Sequence, residues 1–88
     1  MKLDDYCGRY LLAPDLSYEI RRRPGGLEGQ RSGRPASELA VEAPDVLFSP
    51  GRPRYRYVFR RDPSGRVTGF AERREAWDLV WRRVDAAS

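Results

Sequence analysis

Arg54-Tyr55-Arg56-Tyr57-Val58-Phe59-Arg60 sets arginines and apolar side chains at alternating positions. Period-two alternation sends the two sets to opposite faces of an extended strand, one of them suited to burial. The pattern recurs. Leu16, Tyr18 and Ile20 alternate with Ser17, Glu19 and Arg21; Leu39, Val41 and Ala43 alternate with Glu38, Ala40 and Glu42. Leu27 to Arg31 reads as the returning strand of a hairpin, and Val46-Leu47-Phe48 as a short apolar strand. Arg66 to Phe70 starts a further strand whose alternation slips at Gly69, where a bulge fits. Pro24-Gly25-Gly26, Ser32-Gly33-Arg34-Pro35, Pro44-Asp45, Pro50-Gly51-Arg52-Pro53 and Asp62-Pro63-Ser64-Gly65 supply the breaks between them. Strands spaced about 8–12 residues apart predict an all-β sandwich or barrel. Short connections favour an up-and-down antiparallel meander.

The C-terminal segment fits two patterns. Trp77, Val80, Trp81 and Val84 have the spacing of an amphipathic helix, and Ala71 to Ala76 consists of good helix formers. Trp77, Leu79 and Trp81 equally fit one face of a strand.

The 88 residues make one domain, residues 1–88, able to bury one modest core. No apolar run approaches the ~18 residues of a membrane helix. The opening Met1-Lys2-Leu3-Asp4-Asp5-Tyr6 lacks the layout of a signal peptide. A true start at Met1 implies a cytoplasmic protein; a fragment of a larger exported chain implies a periplasmic or secreted one. Cys7 is the only cysteine, which excludes an internal disulfide framework and suits a small half-buried apolar residue. The chain has no histidine, so the usual general base and metal ligand are missing. Lys2 is the only lysine among 17 basic residues, which leaves no Ser-x-x-Lys nucleophile motif. The arginine bias matches what a GC-rich genome produces, and the net charge of +4 is spread among interleaved acids.

The order of these signals resembles a family of small lipocalin-like domains that follow the catalytic domain of many bacterial serine β-lactamase-like and penicillin-binding hydrolases. Leu3-Asp4-Asp5-Tyr6-Cys7-Gly8-Arg9-Tyr10 resembles its opening, followed by Leu12-Ala13-Pro14. Leu27, Gln30, Gly33 and Pro35 resemble its central segment, and Leu39, Asp45 and Val46-Leu47-Phe48 follow in order. Tyr57 to Phe70, with Arg60-Arg61-Asp62-Pro63-Ser64-Gly65-Arg66-Val67-Thr68-Gly69, is the most specific part. Glu75-Ala76 replaces the family's Asn-Gly-type turn, whereas Arg82-Arg83-Val84 matches its closing strand. The resemblance implies an up-and-down lipocalin-like barrel or half-barrel of about seven or eight short strands, with the C-terminus as the last strand. It carries no catalytic residue.

What it implies for function is a non-catalytic accessory module. Such a module docks on a serine hydrolase domain in cis or in trans, shapes access to its active site, or holds an apolar ligand. Tyr18, Phe48, Tyr55, Tyr57, Phe59 and Phe70 are the candidate ligand-lining or core-lining residues, and they favour a packed interior. Trp77 and Trp81 are candidate interface anchors, or else close the core. Loose sheet edges at the C-terminus would invite a second copy or a catalytic partner. The alternative of single-strand nucleic-acid binding rests on the arginine–aromatic run and on Arg21-Arg22-Arg23. Alternation argues against it, because it separates the rings from the charges. Asp4, Asp5, Asp15, Glu19, Glu28, Glu38 and Glu42 show no spacing that singles out a catalytic pair. No residue is put forward as catalytic, metal-ligating or cofactor-binding.

Overall fold

The fold was established from a computed structural model, which describes residues 3–50, 55–73 and 77–84. A 3-10 helix, Leu3–Tyr6, precedes eight strands: β1 (Gly8–Ala13), β2 (Leu16–Arg23), β3 (Gly26–Arg31), β4 (Ser37–Ala43), β5 (Val46–Phe48), β6 (Arg56–Arg61), β7 (Val67–Arg73) and β8 (Asp78–Val84). Each pairs antiparallel with its sequence neighbour, and β8 returns to β1 to close a barrel. The up-and-down arrangement expected from the short connections is the one formed. Closure also removes the free sheet edges expected to attract a partner. Among the described residues no helix is long and apolar enough to cross a membrane.

The alternation sorts most side chains as the sequence predicts, but on β4 only Leu39 is buried, and Val41 and Ala43, expected on the same apolar face, are exposed, with a register shift between them. Tyr18 and Ile20 of β2, Leu27 of β3, Leu39 of β4, Leu47 of β5, Tyr57 and Phe59 of β6, Phe70 of β7 and Trp81 of β8 point inward and are buried. The C-terminal segment is a strand: Arg73↔Asp78, Glu72↔Leu79, Ala71↔Val80 and Phe70↔Trp81 pair in register. The helical spacing of Val80 and Trp81 is therefore coincidental, because neighbouring residues on a strand face opposite ways. Pairing with β1 and β7 overrides local helix propensity here. Glu75-Ala76, Arg54 and the break at residues 51–53 lie outside the described residues.

A β-bulge on β7 falls at Thr68, one residue before the expected slip. Arg60 pairs with Gly69 but Arg61 with Val67. The extra residue lets both Val67 and Phe70 face inward. Asp62 organises the adjoining turn: its carboxylate accepts from the Ser64 hydroxyl at 2.6 Å and from the amides of Ser64 and Arg66. These hydrogen bonds, the Ser64 hydroxyl first, hold the Asp62 carboxyl below its usual pKa.

Two glycines are demanded by close approach. A methyl at Gly69 would collide with the backbone carbonyl of Trp81, and one at Gly29 would collide with the ring of Tyr18. Gly26 has open space in the same direction. Gly69→Ala therefore lowers stability by about 1–3 kcal/mol, whereas Gly26→Ala stays within about 0.5 kcal/mol of the parent. Urea unfolding midpoints measured on the three proteins test the contrast.

Candidate functional site

The inside of an eight-stranded barrel either fills with side chains or leaves room for one small ligand. Here Phe70 occupies the centre. Its ring lies 4.9 Å from Tyr10, 5.0 Å from Phe59, 5.5 Å from Tyr18, 5.7 Å from Tyr57 and 6.0 Å from Trp81, centroid to centroid. Most of these contacts are tilted or edge-to-face, the arrangement that ring quadrupoles favour. Tyr18, Tyr57, Phe59 and Phe70, four of the candidate lining residues, are thus brought together as core. Tyr55 packs at the edge of that core. Phe48 is not part of it: Leu47 takes the inward position of β5, and Phe48 shares the other face with its register partners Arg56 and Ala40. A three-residue apolar strand gives no alternation from which its inward face can be read.

The two ends of the barrel differ. At one end the 3-10 helix acts as a plug. Tyr10 donates to the Tyr6 carbonyl at 2.8 Å, and Tyr6 packs on Phe59 at 4.7 Å. The Tyr6 hydroxyl donates to the Asp45 carboxylate and accepts from the Asp45 amide, both at 3.0 Å. Asp45 sits at φ 63°, a left-handed conformation that aspartate tolerates better than most residues. Arg61 grips the same carboxylate at 2.9 Å and reaches the Gly65 carbonyl at 2.6 Å. Arg83 donates to the carbonyls of Cys7, Asp5 and Val67 at 2.8, 3.2 and 3.2 Å, tying the plug to the wall. Cys7 is half-buried, and burial pushes its thiol up, away from a reactive thiolate.

At the other end, Trp81 donates its indole N–H to the buried carboxylate of Glu72 at 3.0 Å. The guanidinium of Arg31 lies 5.6 Å above the same indole, a cation–π contact. The hydroxyl-bearing rings of Tyr18 and Tyr57 lie next to this group, tilted against each other with centroids 5.9 Å apart. The arrangement holds polar atoms just beneath the mouth, but aromatic rings fill the space below it. Glu72, Arg31 and Arg83 were not singled out from the sequence. The usable signal was parity, since Glu72 lies two residues from Phe70 and Arg83 two from Trp81.

The two tryptophans part company. Trp81 is fully buried, which removes it as an interface anchor and gives it the core-closing role. Trp77 is 63 % exposed and remains available. Val80 is exposed on the outer wall, where Leu11, Leu12, Ala13, Pro14, Val80 and Arg82 line an open groove of about 460 Å³. Among the described residues no cluster of His, Cys, Asp or Glu could hold a metal ion.

Burial raises the pKa of Tyr18 and of Tyr10 far above the ordinary tyrosine value. In the unfolded chain both phenols ionise near pH 10; in the folded barrel they do not. Their contribution to stability is therefore complete below about pH 10 and is lost above it. The loss amounts to about 1.4 kcal/mol per pH unit for each buried tyrosine, until the folded value is reached. Urea midpoints compared at about pH 9 and about pH 11 show this slope, and Tyr18→Phe makes it shallower.

No family model and no curated protein matches this chain, so a role for it has to be read from its own residues.

Proposed function

We propose that the chain is a non-catalytic accessory module that docks on another protein, a serine hydrolase domain of the β-lactamase-like type being the partner its motifs suggest. The observation that carries this reading is the aromatic cluster around Phe70, which occupies the space a ligand-carrying barrel of this size keeps open. The outer wall, by contrast, shows Val80 to solvent beside an open groove, and Trp77, just before β8, is exposed as well. Apolar surface of this kind, rimmed by polar residues, is characteristic of contact surfaces between proteins. The lipocalin-like motif order from Tyr6 to Phe70 supports the same partner class.

The second reading, an apolar ligand held at the barrel mouth, draws on the polar group formed by Glu72, Trp81 and Arg31. It requires the rings of Tyr18 and Tyr57 to move aside. Single-strand nucleic-acid binding fits less well, because Tyr57 and Phe59 are buried while Arg56 and Arg60 face outward.

Two titrations separate the readings. In the first, a medium-chain fatty acid is added while tryptophan fluorescence is followed; the docking reading expects no saturable change, and a saturable one moves the assignment to a ligand carrier. In the second, calorimetry follows addition of a β-lactamase-like catalytic domain whose own C-terminal module has been removed. Saturable binding with an altered KM for a chromogenic ester is expected, and absence of binding overturns the hydrolase as partner.

A further inference from the structure

The register of the closed barrel lays two rows of side chains side by side on its outer wall. One row runs Val46, Val58, Ala71, Val80 across β5 to β8. The adjoining row runs Arg60, Gly69, Arg82, Leu11 across β6, β7, β8 and β1. Gly69 has no side chain, so the arginines on either side of it stand about two strand spacings apart, roughly 10 Å. Neither row contains an acidic residue.

Several arginines elsewhere are engaged, whereas Arg9, Arg23 and Arg34 have no carboxylate partner among the described residues but lie outside these two rows. Arg21 meets Glu19 and Glu28, Arg22 meets Asp4, Arg56 meets Glu42, Arg61 meets Asp45, and Arg73 meets Asp78. Arg60 and Arg82 are exposed and have no carboxylate partner among the described residues. Beside Arg82 lies the groove formed with Leu11, Leu12, Ala13, Pro14 and Val80. Arginines without internal counter-charges, next to an aliphatic row, make a surface that complements carboxylates set around apolar side chains.

We propose that the outer wall of β6, β7, β8 and β1 is the docking surface of this module, and that it takes a protein surface whose aliphatic side chains seat on Val58, Val80 and Leu11 while carboxylates pair with Arg60 and Arg82. This rests on the docking reading above and assigns the surface and the partner's chemistry. Aliphatic side chains, not aromatic ones, stand between the two arginines and the groove. A nucleic acid would find phosphate contacts here but no ring on which to stack a base.

The test uses the intact chain, isotopically labelled, with amide spectra followed during titration. The first probe is a short peptide alternating glutamate and leucine; its lysine–leucine counterpart is the control. Shifts confined to Leu11, Val58, Gly69, Ala71, Val80 and Arg82, with the glutamate peptide only, are expected. Arg60→Glu with Arg82→Glu should weaken binding about ten-fold or more, about 1.4 kcal/mol, and Arg23→Glu with Arg34→Glu should leave it nearly unchanged. The milder Arg60→Gln with Arg82→Gln replaces the first pair if its spectrum loses dispersion. Equal weakening by both glutamate pairs, shifts on another face, no shift at all, or stronger binding of a short single-stranded oligonucleotide to this wall each overturns the proposal. The hydrolase domain supplies the second arm. If it binds and the Arg60/Arg82 variant binds equally well, this surface is wrong while the docking reading stands. If the peptide behaves as expected and the hydrolase is ignored, the surface stands and the hydrolase reading falls.

Discussion

Phe70 holds the barrel together. It is fully buried and stands in ring contact with side chains from β1, β2, β6 and β8 at once. A chain of 88 residues has little apolar surface to spare, and 34 % of it is charged. Large rings solve that problem, since each buries more area than an aliphatic side chain for few rotatable bonds. The same choice decides what the inside can do. Space given to packing is withdrawn from ligands, so contacts with other molecules are moved to the wall and the rim.

The ends show how the polar atoms are accommodated. Tyr6, Asp45, Arg61 and Arg83 are inward or end-facing groups that would be costly to leave unpaired, and each has a partner at hydrogen-bond distance. The network also fixes the 3-10 helix, which is too short to persist on its own. Opposite the plug, the indole N–H of Trp81 is satisfied by Glu72. Buried polar groups at both ends thus set the orientation of the apolar middle.

Much of this was legible in the sequence. Strict alternation placed Tyr18, Tyr57 and Phe59 inward, and the Pro- and Gly-rich breaks marked the turns. The bulge was visible because a single extra residue breaks period two, though only pairing shows which residue is the extra one. Phe48 was misread because Val46-Leu47-Phe48 has no polar position to mark a face. The pairing of Asp45 with Tyr6 joins residues 39 apart, and no local pattern encodes it. Trp81 was ambiguous for a different reason: period two and period 3.6 coincide over short stretches, and only the register with Phe70 decides between them.

The seam between β1 and β8 has a mechanical consequence. Its described pairs are Arg9↔Val84, Tyr10↔Arg83 and Leu11↔Arg82, and both strands meet the plugged end at the start of that series. Tension applied through the two ends of the chain would load these pairs one at a time, as a zipper opens, instead of sharing the load as sliding strands do. The guanidinium of Arg83, spread over the carbonyls of Asp5, Cys7 and Val67, sits where the zipper begins. It acts as the clasp: a barrel tethered by both ends would yield there first, and its aromatic interior would stay intact until that clasp is undone.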